Sequence, residues 1–363
     1  MSRKVLTYIW LDGYETPNLR SKRRYMNANY HIPAGQNVPN VEDIDEWGFD
    51  GSSTGQAEGN FSDCVLSPVR IYQDPTGDGD YLVLCQVMNP DGTYHDSNTR
   101  HRLYELTATY SEHDMWFGIE QEYIFVDPKN NRPYGWPEIG FPNPQGRYYC
   151  GVGGDVTRLR HLVDDHARNL DWIGIPIEGT NAEVMLSQWE YQIGPDEPLK
   201  MADDLWIARY ILEVMAEEKG IAISLAPKPV MGDWNGSGAH INFSTKYMRE
   251  SSDQYYITDV LVALKNRHED HIEEYGVGND ARLTGAHETQ HIDTFSYGVS
   301  DRGASIRIPP RTHQTGMGYL EDRRPAANMD PYRALACLVE TVGSVPVGDA
   351  PNEFTPVEVE ASL

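Results

Sequence analysis

The chain has little cysteine, no long apolar run and few basic residues, and each shortage excludes a class of protein. Its 363 residues include four cysteines, and Cys64, Cys85, Cys150 and Cys337 are too far apart for a zinc-binding spacing or a disulfide framework. No segment approaches the roughly 18 consecutive apolar residues of a membrane-spanning helix, and residues 1–10 lack the apolar core of a signal peptide. The sequence therefore predicts a cytoplasmic protein with no targeting segment.

The shortage of basic residues is large. Lysine and arginine together number 30 against 55 aspartates and glutamates, so the formal net charge is -25. A chain of this charge is repelled by nucleic-acid phosphates and by anionic lipid surfaces. The composition therefore predicts neither nucleic acid nor a membrane as a partner.

Carboxylates stand in segments that otherwise look like buried strands. Over residues 116–126 apolar side chains occupy one face of a predicted strand while Glu120 and Glu122 occupy the other, because side chains of a strand alternate with period two. Two carboxylates about 7 Å apart near an apolar core repel each other by several kcal/mol unless one is protonated or a cation bridges them. For this segment alone, a solvated sheet face with scattered acids is an equal alternative.

The same alternation returns in three later segments, over residues 239–244, 303–308 and 319–323. Their polar faces carry His240, Asn242 and Ser244, then Ser305 and Arg307, then Tyr319, Glu321 and Arg323. Repeated strands with one polar, chemically functional face predict a sheet curved around a polar cavity. Glu183, Glu190 and Glu288 also stand in apolar or glycine-rich stretches. Together with the acids and the histidine above, they are typical of a divalent-metal and nucleotide site.

Helices and strands are mixed along the chain. Strands are predicted over Val5–Asp12 and Tyr81–Met88, and helices over Thr99–Ser111, Arg158–Asp171, Lys200–Gly220 and Ile257–Tyr275. The pattern indicates a small β-rich N-terminal domain followed by a mixed region. Residues 348–363 carry acids and prolines without periodicity, which is typical of a loose tail.

Short motifs occur along nearly the whole sequence, namely Trp47–Thr54 (WGFDGSST), Phe117–Tyr123 (FGIEQEY), Pro144–Gly153 (PQGRYYCGVG), Gly179–Val184 (GTNAEV), Gln188–Gly194 (QWEYQIG), Trp234–Ser244 (WNGSGAHINFS), Arg282–Thr289 (RLTGAHET), Asp301–Pro309 (DRGASIRIP) and Tyr319–Pro325 (YLEDRRP). Together these segments resemble the motifs of the glutamine synthetase family, in its shorter type II class. The resemblance implies an α+β chain with a small β-grasp-like domain (1–98) and a catalytic domain (99–347) whose curved, mainly antiparallel sheet is flanked by helices. The acidic C-terminal tail (348–363) is predicted from composition, not from the resemblance.

The family reaction uses ATP to phosphorylate the γ-carboxylate of glutamate, and ammonia then displaces phosphate to give glutamine. Such chemistry needs metal ions around the polyphosphate, and glutamates suit Mg²⁺, with Mn²⁺ as the alternative. The resemblance implies two or three such ions in each active site. It assigns Glu122, Glu183 and Glu190 to one ion, and Glu120, His240 and Glu321 to the ion at the ATP phosphates.

The remaining roles are also implied by the resemblance, and arginines dominate them because a guanidinium fork binds carboxylate and phosphoryl oxygens in pairs. The expected glutamate contacts are Asn235, Gly236, Arg282, Arg302 and Arg323. The expected ATP contacts are Glu190, His240, Asn242, Ser244, Arg302, Arg307 and Tyr319. Arg302 is expected to act on the transferring phosphate as well.

The second half-reaction needs an ammonium ion that is deprotonated out of reach of water. By resemblance, Asp50 takes the proton, and Ser53, Tyr149 and Glu288 complete the ammonium site. The lid segment, residues 284–289, is expected to carry Glu288 over the cavity. Because Asp50 lies in the N-terminal domain, the resemblance implies that a neighbouring subunit completes each site, in a homodecamer of two pentameric rings.

Two other functions remain open at this stage. A γ-glutamyl-amine ligase would use a larger amine, but the retention of Asp50, Ser53, Tyr149 and Glu288 favours ammonia. A non-catalytic homologue would be expected to have lost metal ligands, yet each expected acid and His240 is in place. These site residues therefore favour the ammonia ligase over the amine ligase and the non-catalytic homologue.

Overall fold

The computed structural model describes residues 3–26, 30–77 and 79–347, so the predicted tail lies outside the described residues. Within these ranges the strands are β1 (Lys4–Leu11), β2 (Leu19–Met26), β3 (Trp47–Asp50), β4 (Asp63–Gln73), β5 (Tyr81–Met88), β6 (Trp116–Asp127), β7 (Arg132–Pro133), β8 (Ile177–Ala182), β9 (Gln188–Asp196), β10 (Ala222–Ser224), β11 (Ala239–Ser244), β12 (Tyr297–Val299), β13 (Ile306–Ile308) and β14 (Leu320–Asp322). The α-helices are α1 (Thr99–Thr109), α2 (Arg160–Trp172), α3 (Pro198–Glu218), α4 (Lys246–Glu250), α5 (Gln254–Asn266), α6 (His268–Glu274), α7 (Pro310–Thr315) and α8 (Pro331–Gly343).

The first five strands form a separate sheet in the order β2-β1-β5-β4-β3. Strands β1 and β5 run parallel and the other neighbours are antiparallel. Alternation along β1 sends Leu6 and Tyr8 to a core of this sheet's own and Ile9 to the main core of the chain. Strand β3 forms one edge of the sheet and ends at Asp50, which is exposed.

A buried polar network attaches this sheet to the helices behind it. Arg70 on β4 and Arg100 on α1 both bind the carboxylate of Asp203 on α3, at 3.0 and 2.8 Å. Next along α3, Asp204 accepts a 2.7 Å hydrogen bond from the Tyr72 hydroxyl of β4. Both aspartates are fully buried, so their partners replace the water they have lost.

The second sheet has nine strands, with the path β12-β13-β14-β11-β6-β9-β8 and β7 and β10 paired to β6. Every pairing is antiparallel except that of β12 with β13. The register of β6 sets Glu120 opposite His240 on β11 and Glu122 opposite Glu190 on β9. Residues opposite each other in a sheet have side chains about 5 Å apart, so these pairs share one face.

Three of the four predicted helices match α1, α2 and α3 to within two residues at each end, and α4, α7 and α8 were not predicted. The helix predicted over Ile257–Tyr275 is two helices, α5 and α6, which meet at Arg267. The side chain of Arg267 binds Glu340 of α8 at 2.9 Å and Asp270 at 3.1 Å, so tertiary contacts hold the break that periodicity could not show. No helix in the described ranges is long and apolar enough to span a membrane.

Candidate active site

A polar cavity of about 430 Å³ lies on the face of the nine-stranded sheet that carries the acids, and we call it the acidic cavity. Strands β6, β8, β9, β11, β13 and β14 all contribute lining residues, and loops supply the rest. Most residues predicted for the site line it, namely Glu120, Glu122, Tyr149, Glu183, Glu190, Asn235, Gly236, His240, Arg282, Glu288, Arg302, Arg307, Glu321 and Arg323. The fold therefore gathers residues separated by about two hundred positions in sequence.

Three glutamates meet at one end of this cavity. Ligand oxygens of Glu122, Glu183 and Glu190 lie within 4.8 Å of one another. Their hydrogen bonds come from neutral groups, such as the Gly238 N–H to Glu122 at 2.6 Å and the Gln192 amide to Glu190 at 2.7 Å. Burial is the largest cause of the raised pKa of all three; repulsion between carboxylates adds to it at Glu183 and Glu190, whereas Arg282 opposes it at Glu122. A bound cation would relieve both effects, so this group fits a metal ion.

A second group adjoins the first through a shared residue. Ligand atoms of Glu120, Glu190 and His240 lie within 4.8 Å of one another. Nδ1 of His240 is 3.6 Å from an oxygen of Glu120 and 3.6 Å from one of Glu321. Burial holds the pKa of His240 well below its ordinary value, so the imidazole is neutral and able to donate a lone pair. Glu190 belongs to both groups and can bridge two ions.

The position of Glu321 differs from that of the other acids. Its carboxylate oxygens bind Arg307 at 2.6 Å and Arg323 at 2.6 Å, so two cations already neutralise it. The predicted ligand set of Glu120, His240 and Glu321 is close in space, but the compact group contains Glu190 in place of Glu321. A role for Glu321 as a ligand stays a prediction.

The arginines of the cavity divide into bound and available groups. The Nη atoms of Arg282 donate to the backbone carbonyls of Arg323 and Arg324 at 3.0 and 3.1 Å, and burial lowers its pKa to about 10. Arg302, in contrast, is exposed at the rim, and among the residues that the structure describes its guanidinium has no ion-pair or hydrogen-bond partner. Arg302 is therefore the cation most available to a bound anion.

A second cavity, of about 450 Å³, adjoins the acidic cavity, and Glu120 and Gln192 line both. We call it the apolar cavity, because its exposed lining is mostly apolar. Three residues predicted to contact ATP, Asn242, Ser244 and Tyr319, line this second space. Two connected cavities of opposite character suit a ligand with an apolar ring at one end and charged groups at the other.

Sequence reasoning missed several lining residues. Asn181 and Gln192 each stand two positions from a predicted glutamate, so the alternation rule could have found them. Trp116 and Arg249 line the apolar cavity, and the Arg249 guanidinium lies 4.0 Å from the centre of the Trp116 ring. Arg249 comes from α4, and no local pattern connects it to the site.

The lid segment adopts an unusual backbone above the acidic cavity. His287 and Glu288 have φ values of 54 and 60°, in the left-handed region that disfavours residues with a Cβ atom, and Gly285 precedes them with φ 79°. Glu288 nevertheless lines the cavity, and its carbonyl lies 3.5 Å from a nitrogen of Arg323. Contacts outside the segment must hold this conformation.

Asp50 and Ser53 line neither cavity of their own chain. Both are exposed at the edge of the N-terminal sheet. Asp50 accepts hydrogen bonds from the Ser52 hydroxyl at 2.7 Å and the Ser52 N–H at 3.0 Å, and these bonds hold its pKa below the ordinary value. An exposed, ionised carboxylate at this edge is open to a second copy of the chain.

Comparisons with known proteins agree on one family. Residues 2–90 match the family model for the β-grasp domain of glutamine synthetase, and residues 96–259 match the model for its catalytic domain. The chain is 48% identical to the glutamine synthetase of Kluyveromyces lactis over 352 residues, which is 96% of this chain and 92% of that protein. It is 49% identical to that of Colletotrichum gloeosporioides over 340 residues, covering 93% and 91%.

A solved structure shows the same fold at greater distance. The cryo-EM structure of Plasmodium falciparum glutamine synthetase aligns with this structure with a TM-score of 0.73. The alignment covers 93% of this chain and 71% of the Plasmodium chain. At 16% identity this likeness concerns the fold alone. The relatives are named as glutamine synthetases, so the amine ligase is not favoured. The chain therefore belongs to the glutamine synthetase family, which confirms the predicted family, fold class and ligase activity.

Proposed function

We propose that the acidic cavity binds glutamate and two divalent cations beside ATP, and that the chain forms glutamine there through γ-glutamyl phosphate. The observation that carries this proposal is the pair of acid groups that share Glu190, with ligand atoms within 4.8 Å in each group. Glu120 lies where the two cavities adjoin. A polyphosphate that passes this point would lie near both the proposed metal ligands and Arg307, which lines the same cavity.

The donors favour Mg²⁺, with Mn²⁺ as the alternative. They are carboxylates and one imidazole, and no cysteine lines the acidic cavity in the described residues. We assign Glu122, Glu183 and Glu190 to one ion, and Glu120, Glu190 and His240 to the other. Glu321, which binds Arg307 and Arg323, would lie close to the second ion. When bound, the ions neutralise phosphate charge as it shifts during transfer.

The apolar cavity is the proposed place for the base of ATP. The Arg249 guanidinium over Trp116 and the ring of Tyr319 offer flat surfaces for stacking. Asn242 and Ser244 offer hydrogen-bonding groups on the same wall. Base binding at this point would direct the phosphates toward Arg302 and Arg307 in the acidic cavity.

The ammonium ion is proposed to bind beside Glu288 and Tyr149, close to Glu183. A cation is expected there because burial and the neighbouring charges of Glu122 and Glu288 raise the pKa of Glu183, and a positive charge would relieve both effects. Asp50 of a neighbouring copy would remove the proton and Ser53 of that copy would complete the site. We propose a homodecamer of two pentameric rings that acts in the cytoplasm.

The first test is the reaction itself. Purified protein with Mg²⁺, ATP and glutamate should release phosphate in an ammonium-dependent way, with one glutamine formed for about each phosphate. Phosphate and glutamine should be measured in the same samples. Assembled protein that gave no ammonium-dependent glutamine with Mg²⁺ or Mn²⁺ would contradict the proposal, and a screen of larger amines would follow.

The second test addresses the shared site. Asp50→Asn and Glu288→Ala chains should each make little glutamine, because each site lacks one ammonium residue. Co-expression of the two chains should restore about a quarter of the activity, since random neighbours pair an intact Asp50 with an intact Glu288 at about one site in four. If the mixed oligomers formed no more glutamine than either single variant, Asp50 and Glu288 would belong to the site of one chain.

A further inference from the structure

The side chain of Gln145 connects two loops of the acidic cavity without lining the cavity itself. Its Oε1 accepts from the backbone N–H of Asn235 at 2.9 Å, and its Nε2 donates to Asn235 Oδ1 at 2.9 Å. The same Nε2 lies 3.2 Å from Nδ1 of His287, the neighbour of Glu288 in the lid segment. One carboxamide therefore touches both the proposed glutamate loop and the lid segment.

The partners of Gln145 fix where each proton lies. The Asn235 N–H can only donate, so it identifies the oxygen of Gln145 and leaves the amide nitrogen facing His287. Nδ1 of His287 must then accept, and Nε2 carries the ring proton. That nitrogen lies 3.1 Å from Oδ1 of Asp233, so the second end of the imidazole is satisfied as well.

The lid segment depends on such contacts because its own backbone is unfavourable. His287 and Glu288 are consecutive residues with φ values of 54 and 60°, a conformation that persists only when surrounding contacts hold it. Inside the segment, the Thr289 hydroxyl bonds the Ala286 carbonyl at 2.7 Å. The bond from Gln145 to His287 links the segment to the Asn235 loop beyond it.

We propose that Gln145 is a positioning residue that couples glutamate binding at Asn235 to the closed position of Glu288. The inference rests on the proposed function. A glutamate that orders the Asn235 loop also orders the Gln145 amide, and the amide holds His287 and hence Glu288 over the cavity. The closed segment keeps water from γ-glutamyl phosphate. When it opens, water adds across the acyl–phosphate bond and returns glutamate and phosphate, so ATP is consumed without glutamine.

Gln145→Glu tests the coupling without a change of size. The variant keeps an acceptor for the Asn235 N–H, but it loses both donors and sets a carboxylate against Asn235 Oδ1 and His287 Nδ1. We expect the phosphate released per glutamine to rise from about one to about two or more. The KM for glutamate should rise about tenfold from the lost bonds, whereas the KM for ATP should stay unchanged.

His287→Ala breaks the other end of the same contact and should raise the phosphate-to-glutamine ratio similarly. Because both changes remove one coupling, the double variant should be no more uncoupled than the worse single variant. Gln254→Ala is the matched control, since its amide donates to a backbone carbonyl on the exposed surface and its side chain lines neither cavity. Size-exclusion chromatography confirms assembly of each variant before assay.

The readout separates coupling from a structural role. A variant damaged only in folding loses turnover while its ratio stays at about one. Ratios of one in both assembled Gln145→Glu and His287→Ala would overturn the proposal. A higher KM for glutamate with a ratio of one would restrict Gln145 to the Asn235 loop and overturn the coupling. Wild-type protein that released phosphate without glutamine would instead overturn the proposed function, and the coupling with it.

Discussion

Two sets of buried acids in this chain have opposite surroundings. Asp203, behind the N-terminal sheet, is fully buried and binds the guanidinium groups of Arg70 and Arg100. Glu183 and Glu190, in the acidic cavity, are also nearly buried, but their hydrogen bonds come from neutral amides and a backbone N–H. The first carboxylate has its counter-charge built into the fold, and the other two do not.

The difference shows what each set does. A paired buried carboxylate stabilises a fixed geometry, here the attachment of the N-terminal sheet to the helices. Unpaired buried carboxylates cost stability and bind a cation supplied from outside. Glu321 is intermediate, because it lines the cavity yet binds Arg307 and Arg323. Surroundings, more than residue type, separate the proposed metal site from the structural acids.

The largest expected effect is at Glu190. Glu190→Gln keeps the side-chain size and removes the charge that both acid groups share, so glutamine formation should fall by about 10²- to 10³-fold. The metal-free variant should unfold at the same or a higher temperature, because repulsion is relieved. Steady-state assays and thermal unfolding in EDTA measure the two quantities, with the exposed Glu218→Gln as control. Near wild-type turnover would remove Glu190 from the metal site.

The same change at a paired acid should act on stability instead. Asp203→Asn removes the buried carboxylate that Arg70 and Arg100 share, so the free energy of unfolding should fall by about 3 kcal/mol. Asp165→Asn breaks only an exposed ion pair with Arg168 and should cost about 0.5 kcal/mol or less. Urea denaturation compares the two variants. Equal losses would mean that the buried network is no stronger than a surface pair.

The unpaired acids should also make metal binding depend on pH. Since the pKa values of Glu183 and Glu190 are raised, the metal-free folded protein binds more protons than the unfolded chain above the ordinary glutamate range. Its stability should therefore fall as the pH rises toward the raised values. Mg²⁺ must displace these protons, so its affinity should rise with pH.

Calorimetry of Mg²⁺ binding measures this displacement directly. At neutral pH in two buffers of different ionisation enthalpy, about one or two protons should be released per site. Glu190→Gln should release fewer protons than the wild type, and Glu218→Gln should match it. Binding with no proton release would show that the acids are already ionised.

The smallest effect is expected around Glu321, the acid whose surroundings are intermediate between the two sets. Arg307→Gln removes one of the two cations on Glu321 and a proposed phosphate contact, so the KM for ATP should rise about tenfold. Arg323 still pairs with Glu321, so folding should change little. Initial rates at varied ATP, with Arg168→Gln as control, measure the change. An unchanged KM for ATP would separate Arg307 from the nucleotide.

Much of the fold could be predicted from local pattern. Strands β5 and β11 have the predicted bounds, and alternation along β6 assigned Glu120 and Glu122 to the functional face. The break at Arg267 could not be predicted, because it depends on Glu340 of another helix. The domain division at residue 98 stays a prediction, as do the individual site roles.

The sequence by itself determined the acidic composition, the face of each strand on which the acids stand and, through its motifs, the family. These follow from side-chain chemistry and from the period-two geometry of a strand. Only the tertiary structure decided which acids meet. Cross-strand register set Glu122 beside Glu190 and Glu321 beside Arg307, while loop contacts gave Gln145 its two partners. Register and loop contacts arise from long-range pairing, which local periodicity does not encode.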